Sequence, residues 1–547
     1  MGRYLRFTAH VVVIAAAAFV IWFGHTYRTS TASGADSYGY LSQVELWRAG
    51  NLHVSQPFMQ DFPWPKREWT GSPMGYRPAP GEESGQIVPI YSPGLPVLMA
   101  IAKTMAGHRA MFWIVPFFGG LFVLATYGIG LRFASVGVAL AAASLAALSP
   151  MVLFMAMWPM TDLPVAACWA AATWAVLGPS RKHALIGGLA ATVAITIRPN
   201  LIFVGLCIGL WTIVRDLQRT GDWRRFDRAA MFALGSAPGV AAIMAFNAML
   251  YGSPFRSGYG TLSDVLHLSN IPTNVAHYMQ WLTDSESVLV LGGCLMLALP
   301  FPLVWRDRER AMNALLLSLV AAGTLCCYLL FMPLDEWWYL RFLLTLFPGM
   351  FVALSWRLFM PDWHLRSWRW IHTAVGVLIV AAIAWWGVHF AQGKRFDRVH
   401  EGEGRFITIA QLVRDHTEPN AIIFALQHGG SIRYYGERMT LKFDSLDPAW
   451  LDTAVEFFSA RGAHPYLVLD EWEVDKWKQW FGNGSARGRL ELQPVFEEQW
   501  PTHIWLLDLE KVGIPEAETW PYINGFYLPR PPADLPPAPK PAFQLSR

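Results

Sequence analysis

Eleven long stretches without a single Asp, Glu, Lys or Arg divide this 547-residue chain, and they constrain its fold more than any other feature. They run over 7–24, 110–131, 133–157, 163–178, 184–197, 199–214, 229–250, 287–305, 311–332, 342–356 and 370–391. Most reach or approach the ~20 residues that a helix needs to cross the hydrocarbon core of a membrane. A backbone in lipid must satisfy its own hydrogen bonds, so such runs become helices. The chain therefore reads as a polytopic α-helical membrane protein. Its charged fraction of 15% lies far below the roughly 25% of soluble domains. The net charge of +3 leaves no global field for a polyanion, which excludes a nucleic-acid partner.

Where the few charges stand gives the topology. Pro199 disfavours a helical conformation at Arg198, so 184–197 and 199–214 read as two spans. With a cytoplasmic N-terminus, eleven spans place sixteen Arg and Lys residues inside, among them Arg3, Arg6, Arg132, Arg181, Lys182, Arg215, Arg224, Arg228, Arg306, Arg357 and Arg366. The short loops on the other side hold only Arg198, Arg256 and Arg341, which is the asymmetry expected of cytoplasmic loops. Residues 1–24 read as a retained first transmembrane helix, because the apolar run is long for a cleaved leader. Residues 25–109 form a first extra-cytoplasmic loop, in which Val97–Ala106 is too short to span and is expected along the interface.

Residues 110–391 make the transmembrane helical core. Over 392–510, helical patterns at 403–415 and 448–460 alternate with strand patterns at 421–426, 466–469, 492–499 and 503–509, which predicts an extra-cytoplasmic α/β domain. His428-Gly429-Gly430 reads there as a turn. Residues 511–547 form a tail in which seven of the 13 residues from Pro529 to Pro541 are proline. The five cysteines lie in apolar runs without any CxxC spacing, so they suggest neither zinc nor a redox pair.

The polar residues that chemistry would need cluster on the non-cytoplasmic side. Asp36 opens Asp36-Ser-Tyr-Gly-Tyr-Leu-Ser-Gln43 and is either the N-cap of a helix over 37–49 or a general base at the membrane boundary. Asp162, in the short loop Trp158-Pro-Met-Thr-Asp-Leu-Pro164, is either another cap or a carboxylate that orients an acceptor or holds a hard divalent cation. Arg198 and Arg341 are snorkelling anchors or a fork for a lipid phosphate or pyrophosphate. Asn247 and Tyr251-Gly-Ser-Pro-Phe-Arg-Ser-Gly-Tyr259 supply turn geometry, and Tyr91, Tyr251 and Tyr259 also suit an interfacial aromatic belt. No Walker spacing, HExxH or nucleophile elbow is present.

Taken in order, the first-loop Asp36, Tyr91-Ser-Pro-Gly-Leu-Pro96, Met160-Thr-Asp-Leu-Pro164, Ile197-Arg-Pro-Asn200, Asn247 with Tyr251-Gly-Ser-Pro-Phe255 and Ser257-Gly-Tyr259, and Tyr339-Leu-Arg-Phe-Leu-Leu344 form a set. The set resembles the GT-C membrane glycosyltransferases over residues 5–390. The likeness is to the branch that includes the protein mannosyltransferases and aminoarabinose transferases. It implies a GT-C-like helical core and transfer of a sugar from a polyprenyl-phosphate donor to an acceptor hydroxyl of an envelope glycan, lipid or protein. By position Asp36 would be the general base, and Arg341 and Arg198 would bind the donor phosphate. Asp162, Tyr38, Tyr91, Asn247 and Tyr259 would contact donor or acceptor, with a metal ion at Asp162 as another role in some members. Asp36-Ser37 replaces the two adjacent acids of some protein mannosyltransferases, which weighs against a protein acceptor. The resemblance also implies a bacterial inner membrane with the C-terminal domain in the periplasm.

Two other classes compete. A transporter or flippase of a lipid-linked or anionic substrate would also use many spans and rim arginines, but repeated halves and polar midplane helices are missing from the pattern. A sensor or scaffold needs far fewer spans than eleven for anchorage.

Overall fold

The structure, a computed structural model, describes residues 2–81, 85–222, 225–298, 307–359, 369–498 and 502–513. The proline-rich stretch and Arg224, Arg306 and Arg366 of the cytoplasmic set lie outside these residues. Two compact units are present: Met1–Arg28, Ser92–Ala248 and Ser253–Asp397 form the first, and Thr29–Tyr91, Met249–Gly252 and Arg398–Arg547 the second. Four helices bear on the site: α1 (Asp36–Arg48), α2 (Asp162–Val176), α3 (Arg181–Ile197) and α4 (Gly429–Tyr435).

The first unit is helical. Among the described residues seven helices are long and apolar enough to cross a membrane: Phe7–Thr26, His108–Phe133, Pro199–Thr220, Asp227–Tyr251, Arg308–Tyr328, Trp337–Phe359 and Trp370–Gly393. Two bent pairs qualify when each is taken together, Val136–Leu148 with Pro150–Ala156 at 55° and Leu268–Glu286 with Val288–Ala298 at 116°. α2 and α3 are apolar but shorter, 15 and 17 residues. Each apolar run thus meets one helix or one bent pair, and eleven crossings require α2, α3 and both pairs to cross as well.

The breaks follow from the local sequence. Ser149 accepts a hydrogen bond from the Val152 N–H and Pro150 takes the first position of the new helix, where a missing N–H costs nothing. The buried Glu286 carboxylate ties the two bends together: its Oε1 accepts from Ser149 Oγ at 2.6 Å and from the Met151 N–H at 3.1 Å. Ile197 ends α3, Arg198 is extended at φ −149°, ψ 87°, and a short 3-10 turn over Pro199–Leu201 starts the next helix. The stiff ring at 199 thereby sets the direction of the Arg198 side chain.

The second unit holds two sheets. β1 (Val54–Ser55), β2 (Tyr76–Pro78) and β3 (Gln86–Pro89) form an antiparallel sheet of order β1-β3-β2. β4 (Ile422–Phe424), β5 (Met439–Leu441), β6 (Pro465–Asp470), β7 (Leu492–Glu498) and β8 (Ile504–Val512) form a five-stranded sheet of order β5-β4-β6-β8-β7. β4 is parallel to both neighbours, pairing Ile423 with Thr440 and with Tyr466, while β8 runs antiparallel to β6 and β7. Helices Arg405–His416, Leu451–Ser459 and Glu471–Phe481 accompany the sheet, and Ile409, Val413, Ile423, Val468 and Leu506 are among its core residues. The expected turn at His428-Gly429-Gly430 is instead the start of α4. Two glycines are poor helix formers, and the helix is held by packing that only the absence of a Cβ at Gly430 permits.

Candidate active site

In the first unit, three separated pieces of chain bring their charges together. α2 begins at Asp162, with Thr161 before it making no side-chain cap. Of the two readings of Asp162 the cap gives way to a charge pairing: Oδ1 pairs with Arg198 Nη1, and Oδ2 lies 3.7 Å from Arg341 Nε. Arg198 comes from the break after α3, Arg341 from the 3-10 helix Trp337–Leu346. The Asp162 and Arg341 side chains keep 3% and 7% of their surface and Arg198 keeps 20%, so Arg198 offers more surface to a ligand than Arg341.

Aromatic rings line both guanidinium groups. The Phe342 ring lies 4.8 Å from Arg198 Cζ and 5.4 Å from Arg341 Cζ. Tyr328 stacks on Phe342 at 4.8 Å and 12°, and Tyr339 lies 5.1 Å from Arg341 Cζ. Arg341 Nη1 is also 2.9 Å from Met160 Sδ. Two guanidinium groups set among aromatic rings beside one carboxylate are an arrangement suited to a phosphate. Both Asp162 oxygens face guanidinium groups, which repel a divalent cation, so these residues do not fit the metal-contact role. Among the described residues no group of three or more His, Cys, Asp or Glu is arranged to hold a metal ion.

In the second unit, Asp36 is the first residue of α1, and Ala35 occupies the N-cap position without a side-chain hydrogen bond. The cap reading of Asp36 is corrected in the same way: its Oδ1 accepts from Tyr91 Oη at 2.7 Å. Asp36, Gly39 and Gln43 lie three and seven residues apart and so share one helix face. Tyr91 lies along that face. A Cβ at Gly39 would come within 2.2 Å of the Tyr91 ring, so only glycine lets the ring lie flat on the helix. One turn earlier the hydroxyl meets Asp36, and one turn later Gln43 Nε2 donates to the Tyr91 carbonyl at 3.3 Å. Tyr91 is thus gripped at ring, hydroxyl and backbone.

The remaining candidates are placed differently. Tyr38 is buried against Tyr76, with ring centroids 5.7 Å apart, and burial pushes its phenol pKa up. Asn247 Nδ2 donates to the Pro254 carbonyl at 3.2 Å and braces the turn after the helix Asp227–Tyr251. Tyr259 is about half exposed on that turn. Sequence reasoning named Asp36 and Tyr91 but missed Gly39 and Gln43, which join them. The available signal was a glycine inside an amphipathic helix, three residues after an acid.

No family model matches the chain, and no curated protein matches it. Solved structures do. ArnT from Cupriavidus metallidurans in the apo state superimposes with a TM-score of 0.54 at 15% identity, over 93% of this chain and 100% of that one. The same organism's ArnT bound to undecaprenyl phosphate gives 0.53 at 13% identity, over 91% and 97%. The oligosaccharyltransferase of Archaeoglobus fulgidus tethered to an acceptor peptide gives 0.58 at 13% identity, over 94% of this chain and 75% of that one. At these identities the likeness establishes the fold. The chain has the GT-C fold, as the resemblance implied.

Proposed function

We propose that this GT-C chain is a membrane glycosyltransferase, moving a sugar from a polyprenyl-phosphate-linked donor to a hydroxyl of an envelope glycan, lipid or protein at the extra-cytoplasmic face. The observation that carries the reading is the convergence of Arg198 and Arg341 on Asp162 within that fold. Two converging guanidinium forks match a leaving phosphate. Undecaprenyl phosphate is bound in the ArnT structure of the same fold, which supports the lipid class.

In this reading Asp36 is the general base, oriented by the Tyr91 hydroxyl. The acceptor O–H passes its proton to the Asp36 carboxylate while the acceptor oxygen bonds to the anomeric carbon. The bond from that carbon to the phosphate oxygen breaks, and its electron pair leaves on the polyprenyl phosphate. Charge on the departing phosphate is stabilised by the two arginines, held in place beforehand by Asp162 and the Phe342 ring. The eleven crossings, the cytoplasmic N-terminus and a bacterial inner membrane belong to the same proposal, as do the residue divisions at 24, 109, 391 and 510.

The test is transfer of radiolabelled sugar from a panel of polyprenyl-phosphate sugars to membrane acceptors by the purified protein and its Asp36→Asn variant. Transfer by the wild type, reduced at least about 100-fold in the variant, is the expected result for loss of a general base. Failure of both proteins to bind or use any polyprenyl phosphate would overturn the reading.

A further inference from the structure

The α/β module of the second unit presents the place where a sheet of this kind hosts a ligand. In an open α/β sheet that place lies beyond the carboxyl ends of adjacent parallel strands whose onward connections leave in opposite directions. β4 and β6 are such a pair: from β4 the chain moves out to β5 on one side, and from β6 it moves on to β7 and β8 on the other. Past the end of β4 stand Gln427 and His428, and β6 ends on Asp470, with His428 Nε2 3.3 Å from Asp470 Oδ2 and both side chains fully buried.

The chain's own segment Thr31–Gly34 lies against this place. The Ala32 N–H donates to Tyr435 Oη at 2.8 Å, the Glu403 side chain bonds Ser33, and Gly34 sits so close that a Cβ there would fall 2.9 Å from Gln427 Nε2. Thr31, Ala32 and Ser33 are buried. Two residues after Gly34 comes Asp36, and α1 continues the attachment. The Tyr38 ring fills the space that a Cβ at Gly430 would need, 2.4 Å away, and Tyr434 Oη donates to Glu45 Oε1 at 3.3 Å. Arg433, partly buried and with its pKa lowered to about 10 by burial, donates from Nη2 to the Gly71 carbonyl at 2.8 Å.

We infer that the α/β module is the positioning device for Asp36: it binds the segment leading into α1 as it would a ligand, and Gly430 and Tyr435 are positioning residues that act through the base. The inference rests on the proposed role of Asp36. It also assigns the module a task other than recognising a soluble metabolite at its strand ends.

A double-mutant cycle on the full-length protein tests it. Gly430→Ala forces Tyr38 and with it α1 to shift, whereas a Cβ at the neighbouring Gly429 would stand 3.6 Å from Thr440 Oγ1, an ordinary contact, so Gly429→Ala is the control. Gly430→Ala is expected to lower kcat about 10-fold or more in the wild-type background and less than about two-fold in the Asp36→Asn background, since residues acting as a unit are non-additive. Affinity for undecaprenyl phosphate is expected to stay within about two-fold, because the phosphate is assigned to Arg198 and Arg341. Equal losses in both backgrounds, or full activity of Gly430→Ala, would overturn the positioning role. Wild-type turnover by Asp36→Asn alone would instead remove the base assignment beneath it. If Gly430→Ala does not fold, Tyr435→Phe, which deletes only the bond to Ala32, enters the same cycle with the same outcomes.

Discussion

At the residue scale, two carboxylates near the start of helices are used for something other than capping, because each meets a stronger partner. A charge-assisted hydrogen bond is worth about 1.5–3 kcal/mol, more than an exposed cap contributes. Tyr91→Phe is therefore expected to lower transfer roughly 10-fold and to cost no more than the about 1.5–3 kcal/mol of that bond, the fold being kept because the ring keeps its seat on Gly39. Loss of fold in this variant would mean the hydroxyl is structural. For Asp162 the expectation is reversed. Asp162→Asn removes the carboxylate that Arg198 and the buried Arg341 both face, a loss of about 3–5 kcal/mol, visible as a lowered thermal midpoint in detergent. Adding Arg341→Met removes one of the two cations that faced Asp162 and is expected to recover part of it; no recovery would show that the pairs contribute little. Asp36, Asp162, Arg198 and Arg341 were legible in the sequence because charge is rare in this chain. The link between Asp36 and Tyr91 was not, since 55 residues separate them and the contact depends on Gly39.

At the element scale, the apolar runs predicted where helices lie but not where they bend. The break at Ser149-Pro150 has a local signature, yet the buried acceptor that completes it comes from Glu286, 137 residues away. Glu286→Ala strands the Ser149 hydroxyl and the Met151 N–H, each costing about 1–3 kcal/mol when buried without a partner. The variant is expected to lose about 2–4 kcal/mol by thermal or denaturant unfolding, and Glu286→Gln much less, since an oxygen can still accept at the same point. Equal behaviour of the two variants would argue that the carboxylate's hydrogen bonds do not hold the bends. In the second unit β4, β6, β7 and β8 were readable from alternating or continuous apolar patterns. β5 was not: three residues, Met439–Leu441, carry too little pattern, and they are a strand because β4 offers an edge to pair with. α4 was hidden for the converse reason, its two glycines signalling a turn until Tyr38 packs on Gly430.

At the scale of the whole molecule, the topology makes a prediction independent of any substrate. In a variant whose five native cysteines are replaced, Asn483→Cys in the α/β module is expected to react with a membrane-impermeant maleimide in intact cells, and Gln218→Cys only after permeabilisation. The opposite pattern would invert the orientation and with it the side on which the proposed chemistry occurs. The class of the chain follows from its residues alone: apolar length dictates helices in a membrane, the bias of arginine sets a direction for testing, and the rarity of charge singles out the polar residues. Those are properties of solvation, and they act on each segment alone. Tertiary structure decided the partners. That Asp162 answers to two arginines, that Tyr91 lies along α1, and that Tyr435 and Gln427 meet Ala32 and Gly34 all depend on pieces of chain far apart in sequence. Such contacts arise from shape and distance after folding, and no local pattern encodes them.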